Sequence, residues 1–315
     1  MTAKVLAQAK TARAALLLLC FLLALSAMRS DLFPVSVANP APQLEREAVP
    51  FALMALMATL LAVASKARRP PRSQVQSSIL IGMGLFVAPA LLLFASHGFV
   101  SAFTRVALFS LVPVFAVAFE PHIGAGLASQ SRGSLLAALL AMAGTLFVFS
   151  LTLPSSIESG AAFAAVIVAA ACVAASNCYA VRVASALPRG GLAPLAAIAG
   201  AAAALGLLVA SATTERLTWR LSLTGSNFAW LALVSVPSLF LLFWLMPRMT
   251  ATRMTTRFVI APLIAILIAM ALDRPSVGLR TWAGLLLAAA GAAWILFAPD
   301  EPPAPSSPTF NLNLE

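Results

Sequence analysis

The sequence predicts an all-α integral membrane protein: ten transmembrane helices arranged as two inverted five-helix repeats. Three observations carry this expectation. Residues of the AVILMFWYC set make up 61% of the 315 positions, and DEKR only 10%, against about 45–50% and about 25% in an ordinary soluble domain. The apolar residues fall in continuous runs rather than in alternation, which favours helices over barrel strands. Landmarks of the first half recur in the second at a nearly constant offset, the mark of an internal repeat. With a mean hydropathy of +0.98, too few charges remain to solvate a surface. The composition excludes a disordered or collagenous chain and argues against a water-soluble enzyme.

A spanning helix needs about 20 mostly apolar residues, because about 30 Å of hydrocarbon is crossed at about 1.5 Å per residue. Ten segments meet this: 14–30, 48–65, 77–96, 100–119, 134–153, 160–181, 190–211, 226–247, 255–272 and 281–298. Short connections rich in Pro, Gly, Ser or Arg separate them, as at Lys66-Ala67-Arg68-Arg69-Pro70-Pro71-Arg72. The tail 299–315 is polar and proline-rich and is expected to be disordered. Lys4, Lys10 and Arg13 ahead of a short apolar run also fit a signal peptide. Retention is the expectation, because nine remaining helices would break the repeat.

The net charge of +10 is no sign of nucleic acid, since the basic residues punctuate apolar runs instead of gathering on one element. With a cytoplasmic N-terminus, the inner loops hold Lys4, Lys10, Arg13, Lys66, Arg68, Arg69, Arg72, Arg132, Arg182, Arg189, Arg248, Arg253 and Arg257, which is 13 of the 20. Positive charge is retained inside, so both termini are expected in the cytoplasm of a multi-pass inner-membrane (plasma-membrane) protein.

The repeat rests on three landmarks. Pro89 in the third segment corresponds to Pro237 in the eighth, and Pro113 in the fourth to Pro262 in the ninth. Ala137, Ala141 and Gly144 in the fifth correspond to Gly284, Ala288 and Gly291 in the tenth. The offsets are 148, 149 and 147 positions. An odd number of helices per copy forces the second copy to enter the membrane from the opposite side. Such inverted repeats recur in transporters, with the substrate site near the midplane. The expected units are therefore 1–153 and 154–298. Proline removes a backbone donor, a loss tolerated in lipid only where protein or a cavity compensates. Pro113 and Pro262 are accordingly candidate gating positions, with a static kink as the alternative. The small-residue triplets fit close helix approach better than ligand contact.

The stretch from Pro262-Leu-Ile-Ala through Leu279-Arg280-Thr-Trp-Ala-Gly284 to Gly291 resembles the drug/metabolite transporter superfamily, specifically its EamA-type ten-helix members. Val112-Pro113-Val114-Phe115 and the run from Ala137 to Gly144 repeat the pattern more weakly. The resemblance implies a carrier of small metabolites, with export as its direction. Departures are visible. The family's glutamate nine residues before the first glycine of the tenth helix is Pro275 here, with Asp273 nearby, and Ala137 stands for the usual Gly. Glu120 ends the fourth helix, but the loop to Gly144 is longer than usual. The family acid's role is carried to neither Glu120 nor Asp273.

Polar groups within the apolar runs are the candidate permeation path: Ser110, Asn177, Ser235, Ser238 and Arg105. Arg105, a turn or two inside the fourth segment, either attracts an anionic substrate or snorkels to the outer interface. Arg257 reads as interfacial. Asn177 lies about a turn from Arg182 and has the interface within reach. Glu120 and Asp273 read as solvated helix-end carboxylates or proton carriers. Trp230 and Trp244 suit an aromatic belt. No catalytic residue, cofactor or metal is expected. His97 and His122 fall in different loops, Cys20, Cys172 and Cys178 form no CxxC or CxxH pattern, and no HExxH, GxSxG or Walker sequence occurs. The expected partners are a small-molecule metabolite and the lipid bilayer. The expected function is carriage, by export, through alternating access. A non-transporting membrane scaffold or lipid-interacting protein is the alternative.

Overall fold

The computed structural model describes residues 3–28, 42–123, 132–149, 151–188, 190–215, 229–273 and 278–298. The tail 299–315, Arg189, Pro275 and the start of the eighth segment lie outside these residues. Helix is the only regular structure among them. Among the described residues nine helices are long and apolar enough to cross a membrane, which makes this a multi-pass membrane protein. They are Ala7–Ala27 (within a helix from Ala3), Gln43–Ala64, Arg72–Ala95, Ala102–Ile123, Ile157–Ser185, Leu192–Thr214, Leu231–Arg248, Ala251–Leu272 and Leu279–Phe297. Between the fourth and the next lies a shorter apolar helix, Arg132–Val148. In chain order these ten are called helices 1 to 10.

Helix 5 corrects the expectation of a span over 134–153. Pro154 disfavours the helical conformation at Leu153, and the chain beyond the helix is tied sideways, with the Thr152 amide donating to Thr104 Oγ1 on helix 4 at 3.1 Å. Helix 5 therefore ends at Val148, before the expected end at 153, and with 17 residues is shorter than the other nine.

Four of the described helices carry interruptions that hydropathy does not reveal, helix 9 at a turn on Thr256 between Ala251–Thr255 and Arg257–Asp273. Helix 3 contains one π turn, Met83–Val87, and helix 8 contains another, Leu231–Ser235. In each, the amide after the turn closes on a carbonyl five residues back, Ala88 to Met83 and Val236 to Leu231. Pro89 and Pro237 follow immediately. Each lacks the N–H that an α-helix would direct to the carbonyl four residues earlier, and the wider turn absorbs the mismatch. Helix 4 breaks at Ser110 and Leu111, so Pro113 sits in the first turn of its second half, where a missing amide costs little. Pro262, by contrast, lies inside a continuous helix running from Arg257 to Asp273.

Helix 5 lies along helix 10, and helix 2 along helix 7. Helix 1 packs on helices 8 and 9, helix 6 on helices 3 and 4, helix 7 on helix 3, and helix 2 touches helix 8. The interior is built of small residues: helix 6 buries Ala162, Ala169, Ala170, Ala174, Ala180 and Ala184. Large apolar side chains such as Leu18, Leu60, Leu80, Leu136, Leu205 and Leu286 point outward. That is the reverse of a soluble core and is what lipid as solvent permits, since helices then associate by close van der Waals contact. Leu16, Leu19 and Cys20 of helix 1 are buried in the largest core cluster, so loss of this helix would uncover helices 8 and 9.

The two small-residue triplets meet face to face, as expected of a close-approach seam. A Cβ on Gly144 would lie 2.2 Å from the Ala288 nitrogen and 2.7 Å from the Gly284 carbonyl oxygen. A Cβ on Gly291 would lie 2.4 Å from the Ala141 nitrogen and 2.7 Å from the Ala137 carbonyl oxygen. Ala137 thus faces Gly291 and Gly144 faces Gly284, so the helices run antiparallel.

Candidate functional site

Helices 3, 4, 8 and 9 each contribute a phenylalanine to the interior. Phe86, in the π turn of helix 3, lies 6.4 Å from Phe243 of helix 8 between ring centroids. Phe109, at the break of helix 4, lies 5.8 Å from Phe258 of helix 9. Phe109 and Phe258 stand four residues before Pro113 and Pro262, so each proline withholds the amide that would close on that phenylalanine's carbonyl.

Beside Phe258 the structure buries a charge that sequence reasoning placed at the interface. Arg257 is 4% exposed. Its Nη1 donates to the Met254 carbonyl at 2.8 Å and its Nη2 to Asn177 Oδ1 of helix 6 at 3.0 Å. The guanidinium carbon lies 4.6 Å from the centre of the Phe258 ring. Arg257 lies six residues past Ala251, at the start of the long second piece of helix 9, Arg257–Asp273, after a turn at Thr256. Among the described residues no carboxylate pairs with it.

Asn177 is fully buried, and its amide nitrogen donates to the Val173 carbonyl at 2.7 Å. It does not reach an interface past Arg182 but faces helix 9. Arg105, the charge singled out within helix 4, is only half-buried. Ser110 is buried at the break of helix 4 and donates to the Ala107 carbonyl at 2.6 Å. Ser238 is buried and donates to the Ser235 carbonyl at 2.8 Å, while Ser235, closing the π turn, is half-buried. The hydroxyls of Ser110 and Ser238 bond back to their own helices. The structure thus brings Asn177 together with Arg257 and with none of the other sequence-derived candidates by a hydrogen bond.

Glu120 is not a solvated helix end. Its carboxylate accepts the Ala251 amide at 3.0 Å and the Thr252 amide at 3.3 Å, and also the Thr252 hydroxyl. It caps the start of helix 9 from the end of helix 4. The side chain of Asp273 lies outside the described residues. A second capping carboxylate, Glu215, went unremarked in the sequence: it accepts the Gln43 and Leu44 amides, both at 2.9 Å, and joins helix 7 to the start of helix 2. Arg253 donates to the Ile295 and Ala298 carbonyls at the end of helix 10, where a cation complements the helix dipole. Trp244 is half-buried under the Arg248 guanidinium at 3.9 Å, an amphipathic pair suited to a membrane boundary. His97 and His122 are exposed.

No family model and no curated protein matches this chain. A solved structure described only as "Crystal structure of protein" is similar, with a TM-score of 0.72 at 16% identity over 92% of this chain and 99% of its own. At that identity the likeness establishes a shared fold and nothing about activity.

Proposed function

We propose that the chain is a carrier of a small metabolite, working by alternating access between two inverted five-helix repeats, 1–153 and 154–298. The observation that carries this reading is that positions equivalent under the repeat touch each other. Phe109 and Phe258 are 149 positions apart, the offset of Pro113 and Pro262, and their rings are in contact. Only residues beside a twofold axis meet their own equivalents. The π turns are offset by 148 positions. The contacts of Gly144 with Ala288 and Gly284 reappear, position for position, as those of Gly291 with Ala141 and Ala137.

The helix neighbours follow the same rule. Adding five to each helix number returns the pairs 5–10 and 2–7 to themselves, and converts 1–9 into 4–6, 1–8 into 3–6, and 3–7 into 2–8. Inverted repeats place a substrate site near the midplane between the halves. The phenylalanines of helices 3, 4, 8 and 9 and the two π turns lie where such halves would move against each other. π turns are frequent at functional sites, and here they mark the helices whose backbone is already off the α register.

Membership of the EamA-type drug/metabolite transporters, export, an inner-membrane location and cytoplasmic termini belong to the same proposal. They are supported by the proline and glycine landmarks and the distribution of Arg and Lys. The test is release from vesicles. Proteoliposomes and protein-free liposomes are loaded with the small-molecule extract of the expressing cells, and the external medium is followed by mass spectrometry. A subset of compounds should leave faster from the proteoliposomes. Identical release of every compound would leave a sealed, non-transporting bundle.

A further inference from the structure

Helix 9 carries a guanidinium that the fold has taken out of water and, among the described residues, given neutral partners. Removing a cation from water carries a penalty of several kcal/mol after relaxation. A buried arginine in a structural role normally faces a carboxylate in bidentate geometry. Arg257 faces a carbonyl, an amide oxygen and an aromatic ring instead. Met254, whose carbonyl it meets, belongs to the main apolar core, and Phe258, whose ring it covers, packs against that core. Glu120, the acid nearest this end of helix 9, is committed to the Ala251 and Thr252 amides.

We infer that Arg257, held by Asn177, is the anion-recognition group of the carrier, and that the substrate is a small monocarboxylate with an apolar body. This rests on the carrier reading above. One positive charge in an apolar environment is neutralised by one negative charge, whereas a dianion would leave an uncompensated charge in low dielectric. The fork of the guanidinium fits a carboxylate. Phe258 lies under the guanidinium and touches Phe109 across the helix 4–helix 9 contact, which supplies an apolar wall for the remainder of the molecule. In the state described here the site is closed. Asn177 holds the place of the substrate oxygen, and opening between helices 6 and 9 would exchange one for the other.

The test is ligand-dependent thermal stability of the purified full-length protein. The probes are lactate, pyruvate and benzoate, compared with succinate, lactamide, benzamide and benzylamine. A ligand bound to the folded state raises the unfolding midpoint, so monocarboxylates should raise it by a few degrees while the amides and the amine do not. Arg257→Gln should weaken the carboxylate response at least tenfold in apparent affinity, with Arg257→Lys intermediate.

Asn177→Asp keeps the test decisive even where Arg257→Gln does not fold. It installs an internal carboxylate beside the guanidinium, so the protein should be at least as stable as wild type yet unresponsive to added carboxylate. No carboxylate response in the wild type, or a response that survives in Arg257→Gln or Asn177→Asp, overturns the inference. That outcome leaves faster vesicle release standing as evidence for a carrier of neutral or cationic compounds. Absent release removes the carrier reading whatever the carboxylates do.

Discussion

Arg257 and Glu120 stand near the same end of helix 9, and their neighbours decide what each does. Glu120 supplies charge-assisted bonds to two amides that a helix start leaves without partners. Net of the water that replaces it, such a charge-assisted cap contributes about 1.5–3 kcal/mol. Glu120→Ala should therefore lower unfolding stability by about 1.5–3 kcal/mol, with Glu120→Gln retaining part of the loss, as read by thermal unfolding in detergent. An unchanged midpoint would mean that the cap does not hold helix 4 to helix 9. The sequence shows an acid at a helix end and cannot show which amides it meets, because Ala251 lies 131 positions away. Asn177 and Arg257 are similarly 80 positions apart. Each was visible as a polar residue in an apolar run, and their pairing was not. The offset of 149 marks Phe109 and Phe258 as equivalent positions, but that their rings meet, and that Arg257 beside them is buried, is seen only in the structure.

At the scale of helices the legible part was larger. Apolar runs located the ten described helices to within a few residues at most ends, and the Ala/Gly triplets on helices 5 and 10 correctly marked a seam. Gly144→Ala and Gly291→Ala place a methyl within 2.4 Å of a backbone nitrogen on the partner helix. Overpacking of this kind typically costs about 1–3 kcal/mol. Both substitutions should lower the thermal midpoint, whereas Gly160→Ala on helix 6, which meets nothing within 4 Å, should leave it unchanged or slightly raised. Equal effects at all three glycines would contradict the seam. Hydropathy was silent where backbone hydrogen bonding changes register. The prolines at 89 and 237 announced an interruption, but only the structure shows a π turn ahead of each. Helix 5 was drawn too long because Leu151 and Leu153 are apolar, although Pro154 already argues against helix there.

For the molecule as a whole, the scarcity and placement of charge fixed the membrane class, and the spacing of prolines and glycines suggested two halves. The proposed cytoplasmic side is the one to which the expected loops bring the Arg and Lys excess. A fluorescent protein fused after Glu315 should accordingly fold and fluoresce, and an alkaline phosphatase fusion at the same point should be inactive. The reverse pattern would invert the topology. Nothing in a chain of apolar helices distinguishes a carrier from a sealed scaffold by composition; the carrier proposal rests on Phe109 meeting Phe258, with the buried Arg257 close by. It is settled most directly by comparing metabolites inside and outside cells that contain or lack the protein. A carrier should shift at least one small metabolite between cytosol and medium, in a manner lost with the protein and restored by its re-expression. An unchanged distribution across a broad screen would contradict it.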